Sequence, residues 1–293
     1  MTWVNVLIQG VMLGGVYALL ACGLSLMFGV MRIINLAHGD IAVVGAYLVW
    51  ETSTKWGISP FLTILIALPA MIALGYVLQL TVLQRALKAG ILTPLLATFG
   101  LSIVIQNLLL LKFSPDVHSL GASAGALTTE SWNLFGSITI SALGLVVLAV
   151  AGVVFTALHL FLSRTRPGWR MRATAEDPDA AELIGIDSRH VYARATAIAV
   201  AIAGLGGLFL AIRSVFDPVS GPTQLIFAFE AVVIGGMGSL WGTLLGGLAL
   251  GVAQTLGAQL NPEYAALSGH LLFLAVLILR FGGVRLVRFG ARA

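Results

Sequence analysis

Residues 3–31, WVNVLIQGVMLGGVYALLACGLSLMFGVM, form a continuous stretch without a charged side chain. Its length exceeds the roughly 20 apolar residues with which an α-helix crosses the hydrocarbon core of a bilayer. Further uncharged stretches lie at 56–84, 89–111, 131–163 and 231–262. The pattern predicts an all-α, polytopic membrane protein.

The composition of the chain agrees with this prediction. Of its 293 residues, 59% are hydrophobic and 10% are charged, with a mean hydropathy of +1.01. Soluble domains carry about 25% charged residues, so polar side chains are too scarce here to cover a water-soluble particle. The stretch 3–31 lacks Lys and Arg and is too long for the apolar part of a signal peptide, so we interpret it as a transmembrane helix. The single cysteine, Cys22, lies inside it, which excludes an intrachain disulfide.

The positive charges are distributed unevenly between the segments that separate the apolar stretches. One set of alternating segments holds Lys55, Lys112 and Arg213. The other set holds Arg32, Arg85, Lys88, Arg164, Arg166, Arg170, Arg172, Arg189, Arg194, Arg280, Arg285, Arg288 and Arg292. Because cytoplasmic loops are enriched in Lys and Arg, the second set predicts the cytoplasmic side, with the N-terminus outside and the C-terminus inside. This asymmetry accounts for the net charge of +4, and we expect no nucleic-acid partner.

The apolar stretches and loops predict eight or nine crossings within one domain, 1–293. The expected spans are 4–28, 36–52, 60–83, 91–111, 138–162, 195–213, two helices or half-helices within 224–260, and 266–280. A long cytoplasmic loop is expected at 163–194. The short, glycine-containing regions 33–50 and 225–240 indicate broken helices and a candidate internal repeat, as in transporters built from repeated halves. Small-xxx-small pairs such as Gly10/Gly14 and Gly242/Gly246 indicate close packing of helices within the chain.

The stretch RIINLAHGDIAVVGAY, residues 32–47, brings Asn35, His38 and Asp40 beside Gly39 in an apolar setting. The spacing of Asn35 and His38 would place both on one face of a helix. Three interpretations stay open. The side chains line a translocation path, they cap the ends of a broken helix, or they lie at the cytoplasmic interface, where polarity costs little. One His and one Asp make an incomplete ligand set for a metal, and no nucleophile–base pair is evident.

Glu230 lies within an apolar stretch, LIFAFEAVVIGG, that ends at Gly235 and Gly236. An acidic side chain at membrane depth is costly and tends to face a pathway or a partner. Glu230 therefore either lines the path or makes a structural hydrogen bond to a neighbouring helix. We expect Arg213 to extend toward the outer interface, and His159 and His270 to be packing residues.

The stretch DPDAAELIG, residues 177–185, has the features of one complete short helix. Asp177 can accept hydrogen bonds from the first free amides, and Pro178 suits the first helical position. Gly185 suits a left-handed C-cap. Ala180, Ala181, Leu183 and Ile184 would give this helix an apolar face, either for docking onto a partner or for lying on the membrane surface.

Three motifs resemble the permeases of branched-chain amino-acid ABC importers. They are GVYALLACGLSLMFGVMRIINLAHGDIAVVGAY at 15–47, close to the LivH-type pattern, the loop RATAEDPDAAELIGID at 172–187, and AFEAVVIGGMGSLWGTLLGGLALG at 228–251. The resemblance implies a permease subunit in a bacterial inner membrane. It would pair with a LivM-type permease, two cytoplasmic ATP-binding subunits and an external solute-binding protein.

The polar residues and glycines within the apolar stretches are the candidates for lining the path: Asn35, His38, Gly39, Asp40, Glu230, Gly235 and Gly236. The resemblance implies that the loop around 172–187 docks on an ATPase subunit. Coupling would then use Arg172, Ala173, Glu176, Asp177, Ala180, Ala181, Leu183 and Gly185. The three lysines lack the context of a phosphate-binding loop, so we expect this chain to carry no ATPase site, no cofactor and no metal, with ATP hydrolysed by the partners.

Two other functional classes are compatible with parts of the sequence. An ion-coupled secondary transporter would use Asp40 and Glu230 as proton or sodium sites and would need no ATPase-docking helix. A membrane-embedded enzyme would need a clustered catalytic set, which the sequence does not show. Within the ABC class, related systems carry urea, short amides or other amino acids.

Overall fold

The computed structural model describes residues 3–90, 92–134 and 138–289. Its helices are α1 Trp3–Met31, α2 His38–Trp56, α3 Pro60–Leu78, α4 Gln84–Lys88, α5 Thr93–Phe113, α6 Ala126–Thr129, α7 Ala142–Arg164, α8 Arg166–Glu176, α9 Pro178–Leu183, α10 Ser188–Arg213, α11 Gly221–Gly235, α12 Leu240–Leu260 and α13 Tyr264–Phe289. A π-helical turn, Gln79–Leu83, joins α3 to α4, and a 3₁₀ turn, Ala122–Ala124, precedes α6. The predicted basic residue Arg292 lies outside the described residues.

The helices confirm the prediction of an all-α, multi-pass membrane protein. Six helical stretches of the described residues are long and apolar enough to cross a membrane, namely Trp3–Met31, Pro60–Lys88, Thr93–Phe113, Ala142–Arg164, Ser188–Arg213 and Leu240–Leu260. Gly221–Gly235 and Tyr264–Arg280 are shorter apolar helices. The segment that follows Lys112, on the side predicted to be external, also contributes one strand of a small antiparallel hairpin. That hairpin pairs β1 Ser131–Leu134 with β2 Ile138–Ser141, so the expected span at 138 begins as a strand.

Helices α1 and α10 form the centre of the molecule. Their most apolar windows are 83% and 94% buried, whereas those of α5 and α7 are only 22% buried. The central helices are lined by small residues: a Cβ at Gly14 would overlap the backbone of Gly247 and Leu248 in α12. The small-xxx-small spacing therefore serves packing within the chain, as the sequence indicates.

The chain turns back into the protein before α2. Helix α1 ends at Met31, Arg32 has a positive φ of 55°, and residues 32–37 are not helical. Helix α2 then begins at His38, whose ring lies 2.9 Å from the carbonyl oxygen of Leu20, well inside the length of α1. A discontinuity was expected within 33–50, but α2 itself is continuous through Gly39 and Gly45, and the break lies before it.

A second return segment precedes α11. Helix α10 ends at Arg213, residues 214–220 are not helical, and α11 begins at Gly221 against Gly39 and Asp40. The N-terminal ends of α2 and α11 thus meet inside the protein. Each follows a long central helix and a non-helical return, as two related halves would. The break predicted within 225–240 also exists, at 236–239 between α11 and α12.

Candidate functional site

Asn35 lies in the return segment and not on a helix. Its side-chain oxygen accepts a hydrogen bond from the backbone amide of Ala37 at 3.0 Å, and its own carbonyl accepts from the amide of His38 at 3.1 Å. The prediction that Asn35 and His38 share a helix face is therefore wrong. Spacing places two residues on one face only if the helix is continuous, and Arg32 ends the preceding helix.

His38 opens α2 and is fully buried. Its Nε2 contacts the carbonyl oxygen of Leu20 at 2.9 Å, and its Nδ1 has no partner among the described residues. A Cβ at Gly23 would overlap both this ring and the carbonyl of Ala199 in α10. His38 is thus held where the central helices α1 and α10 approach each other.

Asp40 forms the polar centre of the junction between α2 and α11. Ser102 and Gln106, near the middle of α5, donate hydrogen bonds to its two carboxylate oxygens at 2.6 and 3.0 Å. A Cβ at Gly221 would overlap this carboxylate, and a Cβ at Gly39 would overlap the carbonyl oxygen of Gly221. A negative charge in the first turn stabilises a helix N-terminus, and here two such ends converge on one acid.

This position contradicts the interpretation that Asp40 lies at the cytoplasmic interface, because the middle of α5 surrounds it. Asn35, His38 and Asp40 are each at most 1% exposed. All three side chains are therefore enclosed by the protein in this structure, and Asp40 lies at the contact between α2 and α11.

Glu230 makes a hydrogen bond to a neighbouring helix. It is 3% exposed, and the Nδ1 of His270 in α13 lies 2.5 Å from its Oε1. Tyr17 donates to the side-chain oxygen of Gln254 at 2.6 Å, and Phe227 lies between the rings of Tyr17 and His270. His270 was expected only to pack. The sequence does hold a signal for the pair, since a buried acid and a histidine in two apolar stretches need partners.

Gly235 and Gly236 lie at the turn between α11 and α12. A Cβ at Gly235 would overlap the backbone of Gly242, and Gly236 has a φ of 96° that favours glycine. Arg280 donates to the carbonyl of Val233 at 3.2 Å beside this turn. The two glycines are thus placed where backbones approach closely and the chain reverses.

The short helix expected at 177–185 exists as α9. Asp177 accepts hydrogen bonds from the amides of Asp179 and Ala180, both at 3.0 Å. At the other end Gly185 has a φ of 82°, and the amide of Ile186 donates to the carbonyl of Ala181 at 3.0 Å, which closes a Schellman-type cap.

The apolar residues of α9 divide into two groups. Ala181 is buried in the cluster formed by Met27 of α1, Phe155 of α7 and Met171 of α8. Leu183 and Ile184 are 88% and 67% exposed, and Ala180 is also exposed. The predicted four-residue face therefore fixes the helix to its own chain through Ala181 and presents the other three residues outward.

The other residues assigned to coupling lie on α8. Arg172 and Glu176 are exposed, and Ala173 is partly buried. Helix α8 packs against α1, α7 and α10, so it joins α9 to the central helices. After α9, Asp187 accepts hydrogen bonds from the amides that begin α10, and the hydrogen bond from the His190 side chain lowers the pKa of the Asp187 carboxyl.

Comparison with known proteins gives a consistent result over nearly the whole chain. Residues 6–279 match the family described as branched-chain amino acid transport system / permease component. The chain is 32% identical over 289 residues to the high-affinity branched-chain amino acid transport system permease protein BraD of Pseudomonas aeruginosa, covering 95% of this chain and 94% of that protein. It is 31% identical over 291 residues to LivH of Escherichia coli K12, covering 94% and 93%. It is also 25% identical over 284 residues to LivM of the same bacterium, covering 89% and 66%.

Proposed function

The chain belongs to the family of branched-chain amino-acid transport permease components, and from this premise we propose that it is the LivH-type permease subunit of an ATP-driven ABC importer for branched-chain or related amino acids. The subunit would lie in the bacterial inner membrane, as expected for such importers. A LivM-type permease, two cytoplasmic ATP-binding subunits and an external solute-binding protein would complete the transporter. In this arrangement the chain itself performs no catalysis and binds no cofactor or metal.

The exposed apolar end of α9 is the observation that carries this proposal. Leu183 and Ile184 are exposed on a helix that is capped at both ends and anchored through Ala181. Exposed apolar side chains on a rigid element of this kind indicate a protein interface. An ATP-binding subunit that docks there would hold α8 and α9 and, through them, the cytoplasmic ends of α1, α7 and α10.

We infer that the junction between α2 and α11 is the element that opens for transport. The N-termini of α2 and α11 face each other there around Asp40. Neither helix extends beyond this contact, because non-helical residues precede each of them. Broken helices of this kind line the substrate sites of many transporters. Asn35, His38, Gly39 and Asp40 would then meet the substrate, or control its passage, once the junction separates.

Glu230 supports the competing hypothesis of an ion-coupled secondary transporter. One of its carboxylate oxygens is buried without a partner among the described residues, and its other oxygen pairs with His270. Such a transporter would work with Asp40 and Glu230 as ion sites and without ATP.

Reconstitution separates these functions. The chain is co-purified with its genetically adjacent permease, ATPase and binding-protein partners, and leucine uptake into proteoliposomes is measured with and without internal ATP. We expect uptake to require ATP and to resist collapse of the proton gradient. Uptake that persists without ATP and stops when the gradient collapses would establish the secondary transporter instead.

The docking face is tested by Leu183→Asp and Ile184→Asp, with Glu182→Gln as the matched control on the same exposed helix. The two aspartates should reduce co-purification of the ATP-binding subunits, because a charge replaces apolar contact, and the control should not. A thermal-shift screen of the binding protein against amino acids, short amides and urea would identify the substrate.

A further inference from the structure

The side of the protein that is predicted to face outward carries three cationic side chains, and two of them share one acidic partner. Lys55 and Lys112 lie 2.6 and 2.7 Å from the two carboxylate oxygens of Glu51. Arg213, at the outer end of α10, makes no hydrogen bond or ion pair with any of the residues that the structure describes. A free guanidinium beside apolar helices is costly unless it faces water or an anion.

Arg213 faces a cavity of about 320 Å³ at the outer ends of α1, α7 and α10. The side chains that line it include Gln9, Thr128, Ser141 and Arg213, with Met12 and Leu143 as apolar neighbours. This volume lies at the lower end of the range for small-molecule sites, which hold a few polar groups that fix the orientation of a ligand.

The helix that lines the cavity also reaches the Glu230–His270 pair. Gln9 and Met12 of α1 line the cavity, and Tyr17 lies further along the same helix. The Tyr17 hydroxyl donates to Gln254 at 2.6 Å, and its ring contacts Phe227, which stacks on His270.

We propose that this cavity binds the carboxylate of the incoming amino acid through Arg213, before the substrate reaches the junction of α2 and α11. The inference rests on the proposed import of amino acids. A guanidinium can donate two parallel hydrogen bonds to a carboxylate, whereas an ammonium offers a single point charge. Gln9, Thr128 and Ser141 supply further polar groups, and Met12 and Leu143 provide apolar contact for the side chain of the substrate.

The binding test uses the assembled transporter without its binding protein, purified in a maltoside detergent that contains no phosphate. Thermal stability is measured with L-leucine and with 3-methylbutylamine, which is leucine without its carboxylate. We expect leucine to raise the melting temperature and the amine to leave it unchanged. Equal stabilisation by both compounds, or none by leucine, would overturn the proposal, and this comparison needs no variant.

Variants locate the site. Arg213→Gln should abolish the shift given by leucine, Arg213→Lys should retain part of it, and Lys112→Gln, which removes the same charge from the outer side, should retain all of it. In proteoliposomes, Arg213→Gln should lower leucine uptake by about tenfold at subsaturating substrate, the loss expected for one charged hydrogen-bonding partner. A full leucine shift with Arg213→Gln would overturn the proposal.

Two other outcomes have distinct signatures. If the anion is a lipid phosphate, phosphatidylglycerol but not leucine will stabilise the wild-type complex through Arg213, and the proposal fails. If wild-type proteoliposomes show no ATP-dependent leucine uptake, the proposed function fails. Active wild-type uptake with unchanged uptake by Arg213→Gln overturns only the inference about the cavity.

Discussion

The contact between α2 and α11 depends on two glycines, which have no Cβ. Gly39 and Gly221 bring two backbones together at a distance that leaves no room for a Cβ, and the Asp40 carboxylate is held beside them by Ser102 and Gln106. A methyl group at this contact would force the helix ends apart or displace the acid. The contact therefore sets both the stability of the closed junction and the ease with which it opens.

We predict that Gly39→Ala destabilises the protein. Overpacking of a tight contact costs about 1–3 kcal/mol, and here the clash is with backbone that cannot rotate away. The melting temperature of the purified protein should fall measurably. Gly100→Ala, in α5, is the matched control, because a Cβ there meets nothing within 4 Å and should leave stability unchanged or slightly raised. Equal melting temperatures for the two variants would contradict the close contact.

The Glu230–His270 pair joins two side chains that are buried to different degrees. Glu230 is buried, whereas the His270 side chain is 43% exposed, so each loses a different amount of solvation. Removing one partner of a buried hydrogen-bonded pair leaves the other polar group unpaired, which costs more than removing both.

A double-mutant cycle tests this coupling. His270→Ala should destabilise the protein by roughly 1–3 kcal/mol when Glu230 is present, because a buried acid then loses its partner. The same change in a Glu230→Leu background should cost clearly less. The comparison uses unfolding of the purified protein in one detergent, and additive effects would show that the two side chains do not interact.

At the scale of the element, α9 shows what a sequence can predict. Asp177, Pro178 and Gly185 act on their immediate neighbours, so their roles follow from position along the chain, and the structure contains both caps. Asn35 shows the opposite case. Its spacing to His38 is informative only inside a helix, and α1 ends at Met31, before Asn35 is reached. The partner of Glu230 is likewise forty residues away in sequence, and local pattern does not identify it.

We predict that Gly185→Pro uncouples ATP hydrolysis from uptake. Proline fixes φ near −65°, whereas Gly185 has a φ of 82° and donates its amide to Glu182, so the C-cap of α9 is lost. Uptake in proteoliposomes should fall by about tenfold, which corresponds to a loss of roughly 1.4 kcal/mol in the docking of α9 onto the ATP-binding subunit. Insertion of the protein into the membrane should stay intact.

Gly185→Asn provides the control, because asparagine tolerates the left-handed conformation at a helix C-cap. It should retain uptake close to the wild-type level. Normal uptake by Gly185→Pro would remove α9 from the coupling role, and a protein that fails to insert would be recognised by its absence from the membrane fraction.

At the scale of the whole molecule, the charges and the helix order predict one orientation in the membrane. The ends of α2 and α5 meet through Glu51, Lys55 and Lys112 on one side. On the other side lie α8, α9 and the N-terminal end of α10. The positive-inside rule predicts that this second side is cytoplasmic, since the rule depends on counts of Lys and Arg and not on tertiary contacts. The bounds of the two return segments do not follow from the sequence, because these segments are stabilised by contacts between α1, α2, α10 and α11 that are distant in sequence.

The orientation is testable by cysteine labelling without prior removal of the native thiol. Cys22 is fully buried in α1, so a membrane-impermeant maleimide should not label the wild-type protein in intact cells. Thr54→Cys, at the exposed outer end of α2, should be labelled from outside. Glu182→Cys, exposed on α9, should be labelled only after the membrane is opened, because α9 is proposed to contact the ATP-binding subunits in the cytoplasm. Labelling of Glu182→Cys in intact cells together with protection of Thr54→Cys would show the opposite orientation in the membrane. It would place the apolar face of α9 on the side where no ATPase is present.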